Sequence, residues 1–278
     1  MSLHHHHTPC HWLRLALPAW LLGLALAGSA ALAQTTTPRV VDIPTRPGVT
    51  QRFLYLAPAS PKASVILFAG GHGGLQINAA GEPQWGGGNF LVRTRQHYAN
   101  AGIAVALVDA PSDRQAPPFL SGVRQTPEHR ADVLAVIAWL RQQAAVPVWV
   151  AGTSRGTQSA GYIATEASPA QGGPDGLVLT ATILTDNNGR AVPAMPLERL
   201  AIPVLVAHHT QDGCRLCAFS DMPRLMDKLA RTPRAELISF NGGNNTGDPC
   251  EARAYHGFNG LDAEVSARIT GWMLAARP

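Results

Sequence analysis

The segment VPVWVAGTSRGTQSAGYIA, Val146 to Ala164, decides the fold. A run of apolar and β-branched residues reads as a fully buried strand. It stops at Gly152-Thr153-Ser154-Arg155-Gly156, and small, helix-tolerant residues follow. This is a G-x-S-x-G pattern with strand before and helix after. The glycines have a steric reason, because a serine on a strained strand-to-helix turn leaves no room for bulkier neighbours. Such a turn pushes the Ser154 hydroxyl out of the sheet and points the N–H of Arg155 toward the same spot. Five residues alone recur by chance; the setting gives the pattern its weight.

Outward from this segment the chain alternates. SVILFAGGHGGL (Ser64–Leu75), IAVALVDAPSDR (Ile103–Arg114), LVLTATILTD (Leu177–Asp186) and IPVLVAHHTQDGC (Ile202–Cys214) are predicted buried strands with their exit loops. RFLYLAP, from Arg52, and AELISF are predicted strands nearer the two ends, and the Thr- and Pro-rich residues before Gly48 read as an extended lead-in. Helical spacing marks NFLVRTRQHYANAG, TPEHRADVLAVIAWLRQQAA, SDMPRLMDKLAR and LDAEVSARITGWMLAA. Near-continuous apolar strands between helices predict an α/β fold with a doubly wound, mostly parallel sheet covered on both faces. No internal repeat is present. The strands around Asn187–Ala201 are too close in sequence to admit a large cap domain.

Composition bounds the rest. The 278 residues are 46% hydrophobic and 14% charged, enough apolar material for a full core. At the start, a histidine run, either tag-like or part of a native leader, precedes WLRLALPAWLLGLALAGSAALAQ. A basic flank, a short apolar run and Ala31-Leu32-Ala33 read as a secretory signal peptide over residues 1–33, with a single catalytic domain over 34–278. The expectation is an exported protein, periplasmic or extracellular, with no membrane span after cleavage. Arg14 is the one Lys or Arg before Gln34 and no acid accompanies it, so the net charge of +4 becomes +3. Its basic residues are scattered, which argues against nucleic acid as a partner.

In a sheet of this kind, chemistry collects at the carboxyl ends of the strands. The strand at Ile202 runs out into His208-His209-Thr210-Gln211-Asp212-Gly213-Cys214, which puts an acid just past its end. The loop after AELISF holds Cys250 and Tyr255-His256-Gly257, just before the last helix. The order Ser154, Asp212, His256, with these strand positions, resembles the α/β-hydrolase superfamily, and within it the small, lidless, secreted bacterial carboxylesterases.

The resemblance covers the chain from Gln34 onward and implies a serine hydrolase that works through an acyl-enzyme. Ser154 would be the nucleophile, His256 its base, and Asp212 the group that orients the imidazole and stabilises the imidazolium. Asp186, at the end of the fourth buried strand, is the alternative acid. The oxyanion hole would combine Arg155 N–H with a donor from Gly70-Gly71-His72-Gly73-Gly74, with Gly71 favoured and His72 the alternative. His72 and Trp85 are candidate pocket residues. The Arg155 side chain is expected to pair with a nearby acid, and Asp109 and Asp113 to shape a turn.

If Asp212 and His256 meet, their loops are neighbours, and a Cys214–Cys250 disulfide would tie them together. Cys217–Cys250 and Cys214–Cys217 are the alternative pairings. A zinc site from His208, His209, Asp212 and Cys214 is disfavoured, because adjacent strand residues point to opposite faces. No metal and no cofactor is expected. The partner implied is a small-molecule or surface-borne ester. A peptidase or acyltransferase on the same triad, and a binding protein whose triad is idle, are the competing readings.

Overall fold

The structure, a computed structural model, describes residues 1–5, 37–188 and 190–275. The signal-peptide expectation falls largely on residues outside that set. Residues Gln34–Pro278 form one compact unit.

Eight strands make a single sheet: β1 (Arg39–Arg46), β2 (Val49–Leu56), β3 (Ala63–Phe68), β4 (Ile103–Val108), β5 (Val148–Thr153), β6 (Gly176–Thr180), β7 (Val204–His209) and β8 (Ala235–Phe240). Their spatial order is β1-β2-β4-β3-β5-β6-β7-β8. The pairings from β4 through β8 are parallel, and β1 and β2 add two antiparallel strands at one edge. Every residue of β3 to β7 is buried, which is why those strands read as unbroken apolar runs. At the edges, β8 alternates and β1 is partly exposed, with only Ile43 buried.

β1 corrects the extended lead-in expected before Gly48. Its sequence, RVVDIPTR, carries charges and a proline, which suits an edge strand with solvent on one side. The predicted helix from Asn89 is also two pieces, α1 (Phe90–Arg93) and α2 (Arg95–Asn100). Between them, the Thr94 hydroxyl donates back to the Phe90 carbonyl at 2.6 Å.

The other helices are α3 (Pro127–Gln143), α4 (Gly156–Glu166), α5 (Met222–Leu229) and α6 (Asp262–Leu274). The sheet's alternation divides them between two cores. Ile66 and Phe68 pack with residues of α3, α4 and α5, such as Ile137, Ile163 and Leu225. Val65 and Leu67 point the other way, to Tyr98, Ile269 and Trp272 of α2 and α6. The chain steps outward from β3 to β4 and then returns to β5 on β3's other side. The crevice of a doubly wound sheet opens at such a reversal, here between the ends of β3 and β5. The link from β6 to β7 holds two short 3₁₀ turns, Val192–Ala194 and Leu197–Arg199, and no cap domain among its described residues.

Candidate active site

Ser154 stands at that crevice, on the sharp turn from β5 into α4. Its φ is +51°, a left-handed conformation that a side-chain-bearing residue adopts only when its surroundings impose it. Its N–H donates to Thr180 O at 3.0 Å, and its carbonyl accepts from Thr157 N at 2.9 Å. The flanking glycines are required by contact. A Cβ on Gly152 would lie 2.3 Å from Gly156 O, and one on Gly156 would lie 2.1 Å from Phe68 O. The pattern is therefore a close-packing device that wedges the start of α4 against the end of β3.

Asp212 and His256 come from loops beyond β7 and β8. His256 Nδ1 and Asp212 Oδ2 are 2.9 Å apart and buried, while His256 Nε2 is buried without a protein partner. Asp212 Oδ1 accepts from Cys214 N at 2.9 Å. Burial alone would raise the Asp212 carboxyl, but hydrogen bonds from His208 and His256 outweigh it and hold the group at about 2.

His208 was not expected to take part. Its Nδ1 accepts from Thr182 N at 3.3 Å, so its Nε2 carries the proton that faces Cys217 O at 2.8 Å and Asp212 Oδ2 at 3.4 Å. His209, on the opposite side of the strand, bonds Gly242 O and stacks on Tyr255. The two adjacent histidines thus diverge. The ligand-type atoms of Cys214, Cys217 and His256 do lie within 4.8 Å of one another. The Cys214 sulfur, however, is bonded to Cys250.

That disulfide joins the Asp212 loop to the His256 loop across 36 residues. Cys217 is free and buried, and burial pushes its thiol well above the usual value. Asp186, the alternative acid, is held elsewhere: by the Arg155 guanidinium at 3.2 Å, Gln158 Nε2 at 3.1 Å and Asn188 N at 2.8 Å.

The turn after β3 closes the near side. Gly71 has φ +54°, and a Cβ there would meet the Trp85 ring at 2.6 Å. His72 is sandwiched between Trp85 and Phe119, with ring centroids 3.7 and 4.4 Å away. Its ring supports Trp85 from behind, and Trp85 lines the cleft. Asp109 shapes a loop: its carboxylate accepts from the N–H groups of Leu75, Gln76, Ile77 and Ala110. Asp113 pairs with Arg46 at the surface.

Ser154, His256, Gly71, Trp85 and Arg155 share one cleft of about 470 Å³, together with Asn89, Leu216 and the disulfide. Asn89 escaped the sequence reading. It occupies the N-cap position of α1 without capping it, and its buried Oδ1 has no partner. An asparagine just before a helix ordinarily signals a cap, so nothing in the sequence separated it from that role.

No protein-family model matches the chain, and no curated protein does. Solved structures do. A cold-adapted esterase from an Arctic intertidal metagenomic library is 17% identical, with TM-score 0.58, over 87% of this chain and 94% of its own. A thermophilic esterase from the Planctomycetes species Thermogutta terrifontis is also 17% identical, with TM-score 0.58, over 86% and 91%. A dienelactone hydrolase from Anabaena variabilis is 13% identical, with TM-score 0.59, over 87% and 100%. The protein has the α/β-hydrolase fold.

Proposed function

We propose that this protein is an exported serine hydrolase that cleaves carboxylic esters through an acyl-enzyme. One observation carries the reading. An imidazole anchored at Nδ1 by a buried carboxylate presents a partnerless Nε2 in the same cleft as a serine held on a strained turn.

The Asp212 carboxylate fixes the tautomer in which His256 Nδ1 carries hydrogen and Nε2 is basic. His256 Nε2 takes the Ser154 proton as Oγ attacks the ester carbonyl, then delivers it to the leaving alcohol. Water repeats the sequence on the acyl-enzyme. The charge on the tetrahedral oxygen is met by Arg155 N–H and by an N–H of the Gly71-His72 turn. None of the N–H groups of Gly71, His72 and Arg155 donates to an acceptor among the described residues. Asp186 holds the Arg155 side chain beside the cleft, which leaves its backbone N–H as the group offered to the oxyanion.

Among the described residues no domain covers the cleft, and Trp85, 37% exposed, stands at its wall. Both features favour short acyl groups or esters borne on a larger surface over long chains in a tunnel. Among the described residues no helix is long and apolar enough to cross a membrane, which is compatible with export. The cysteine pairing also suits an oxidising compartment.

The test is hydrolysis of p-nitrophenyl acetate, butyrate and octanoate by residues 34–278 beside Ser154→Ala. Turnover that falls several orders of magnitude in the variant, and declines from acetate to octanoate, is expected. Equal turnover in both proteins would exclude the serine mechanism, and a maximum at octanoate would exclude the open cleft.

A further inference from the structure

Beneath the turn after β3 lies a cation that the chemistry above does not use. Arg124 is 3% exposed and forms no ion pair with a carboxylate among the described residues. A buried charge without a counter-ion is costly unless polar groups surround it. Its partners are few and specific. Nη2 donates to Ala69 O at 3.0 Å and to Gly71 O at 3.2 Å, Nη1 donates to Ser159 Oγ at 2.9 Å, and Nε has no partner.

The turn is shaped around this guanidinium. A Cβ on Gly73, whose φ is +76°, would lie 2.4 Å from Nη2. In a trans peptide the C=O and N–H point in opposite directions. Holding the carbonyls of Ala69 and Gly71 therefore turns the N–H groups of Gly70 and His72 away from Arg124. That side is the crevice, since Gly70 and Gly71 line the cleft and a Cβ on Gly70 would lie 3.1 Å from Ser154 Cβ. Leu120 N fixes the next peptide by donating to His72 O at 3.0 Å.

We infer that Arg124 is the positioning residue of the oxyanion hole: its guanidinium clamps the Ala69 and Gly71 carbonyls so that His72 N–H faces the carbonyl oxygen of the ester attacked by Ser154. The inference rests on the serine-hydrolase reading. It assigns the second donor to His72 in preference to Gly71. The clamp also leaves a full positive charge one peptide behind the developing oxyanion, where water cannot screen it. Lysine would supply the charge but not the second nitrogen, which anchors the guanidinium to Ser159 while Nη2 holds both carbonyls.

The experiment compares wild type, Arg124→Lys and Arg124→Met. It measures kcat and KM on p-nitrophenyl acetate, affinity for phenylboronic acid (which adds to the serine as a tetrahedral anion) and Tm. Removing one oxyanion donor typically costs about 10²–10³ in rate. Arg124→Met should therefore lower kcat about 100-fold, with KM changed less than about threefold, and weaken boronate binding in parallel. Arg124→Lys should fall between the two. A folded Arg124→Met with near wild-type kcat, or one that loses kcat while keeping boronate affinity, overturns the assignment. If Arg124→Met does not fold, Arg124→Lys decides: kcat and boronate affinity must drop together at constant KM, and unchanged values refute the clamp. A wild type that Ser154→Ala does not impair would sink the hydrolase reading itself, whereas an active wild type with an indifferent Arg124 sinks this inference alone.

Discussion

The two halves of the candidate site are held in different ways. Ser154 is set by its immediate neighbours: its φ of +51°, the bare Gly152 and Gly156, and a bond to the adjacent strand β6 at Thr180. Asp212 and His256 are 44 residues apart, on loops with few backbone ties to one another. Side chains and one disulfide hold them together. A serine elbow built by backbone packing tolerates almost no substitution yet needs no distant partner. An acid–base pair built by side chains is set by chemistry that can be titrated or reduced.

The largest effect should come from the rigid half. In Gly156→Ala the new methyl would meet Phe68 O at 2.1 Å and Ala69 O at 2.9 Å, both backbone atoms that cannot swing aside. We expect a loss of at least about 3 kcal/mol of stability and little soluble, active protein. Near-normal thermal melting and turnover would show that the elbow is looser than its packing implies.

Next comes the acid. Asp212→Asn keeps the shape but frees His256 to adopt the wrong tautomer, and kcat should fall by about 10³–10⁴ with the fold retained. The same carboxyl is held at about 2, below its ordinary 3.8. A depressed carboxyl stabilises the fold above its unfolded value and ceases to do so as pH falls toward the folded one. Urea unfolding of wild type should therefore weaken between about pH 4 and pH 2, and Asp212→Asn should flatten that slope. Parallel slopes in both proteins would mean that other groups dominate acid unfolding.

Breaking the tie between the loops should matter less. A Cys250→Ser variant loses the closure of a 36-residue loop, worth about 3–4 kcal/mol in the chain-entropy model. If the loops depend on it, hydrolysis of p-nitrophenyl acetate should be lost at a lower temperature than global unfolding, because the Asp212–His256 half loosens first. Coincident loss of activity and structure would place the cohesion of these loops in their side chains instead.

The smallest expected effect is outside both halves. His129 is buried against Phe68 with neither ring nitrogen partnered; burial, with help from the charges of Arg124 and Arg46, pushes it down to about 3. The unfolded chain takes up that proton first, so stability should begin to fall below about pH 6.5. His129→Leu should remove this part of the pH dependence while leaving kcat within about twofold, as for a core swap remote from the chemistry. A steep decline surviving in the variant would point to a different group.

Strand and helix types were legible because burial writes itself into the sequence. The unbroken apolar runs of β3 to β7 mark strands covered on both faces. β1 was not legible, since an edge strand carries no such run and Pro44 speaks against one. Ser154 was visible because its glycines are a local necessity. His208 and Arg124 were not, because a polar residue ending a strand or lying in a loop looks the same whether it meets solvent or a buried partner.

Sequence alone determined the alternation of strands and helices, the elbow at Ser154 and the chain order of serine, acid and imidazole. Each of these is a local steric or hydrophobic requirement that neighbouring residues must satisfy wherever the chain goes. The tertiary structure alone decided that Asp186 pairs with Arg155 while Asp212 meets His256, that Cys250 joins Cys214, and that Arg124 lies under the Gly71 turn. Those choices pair residues 31 to 53 positions apart. Only the register of the parallel strands, and the loops it brings to one edge, determines which polar groups find each other out of reach of water.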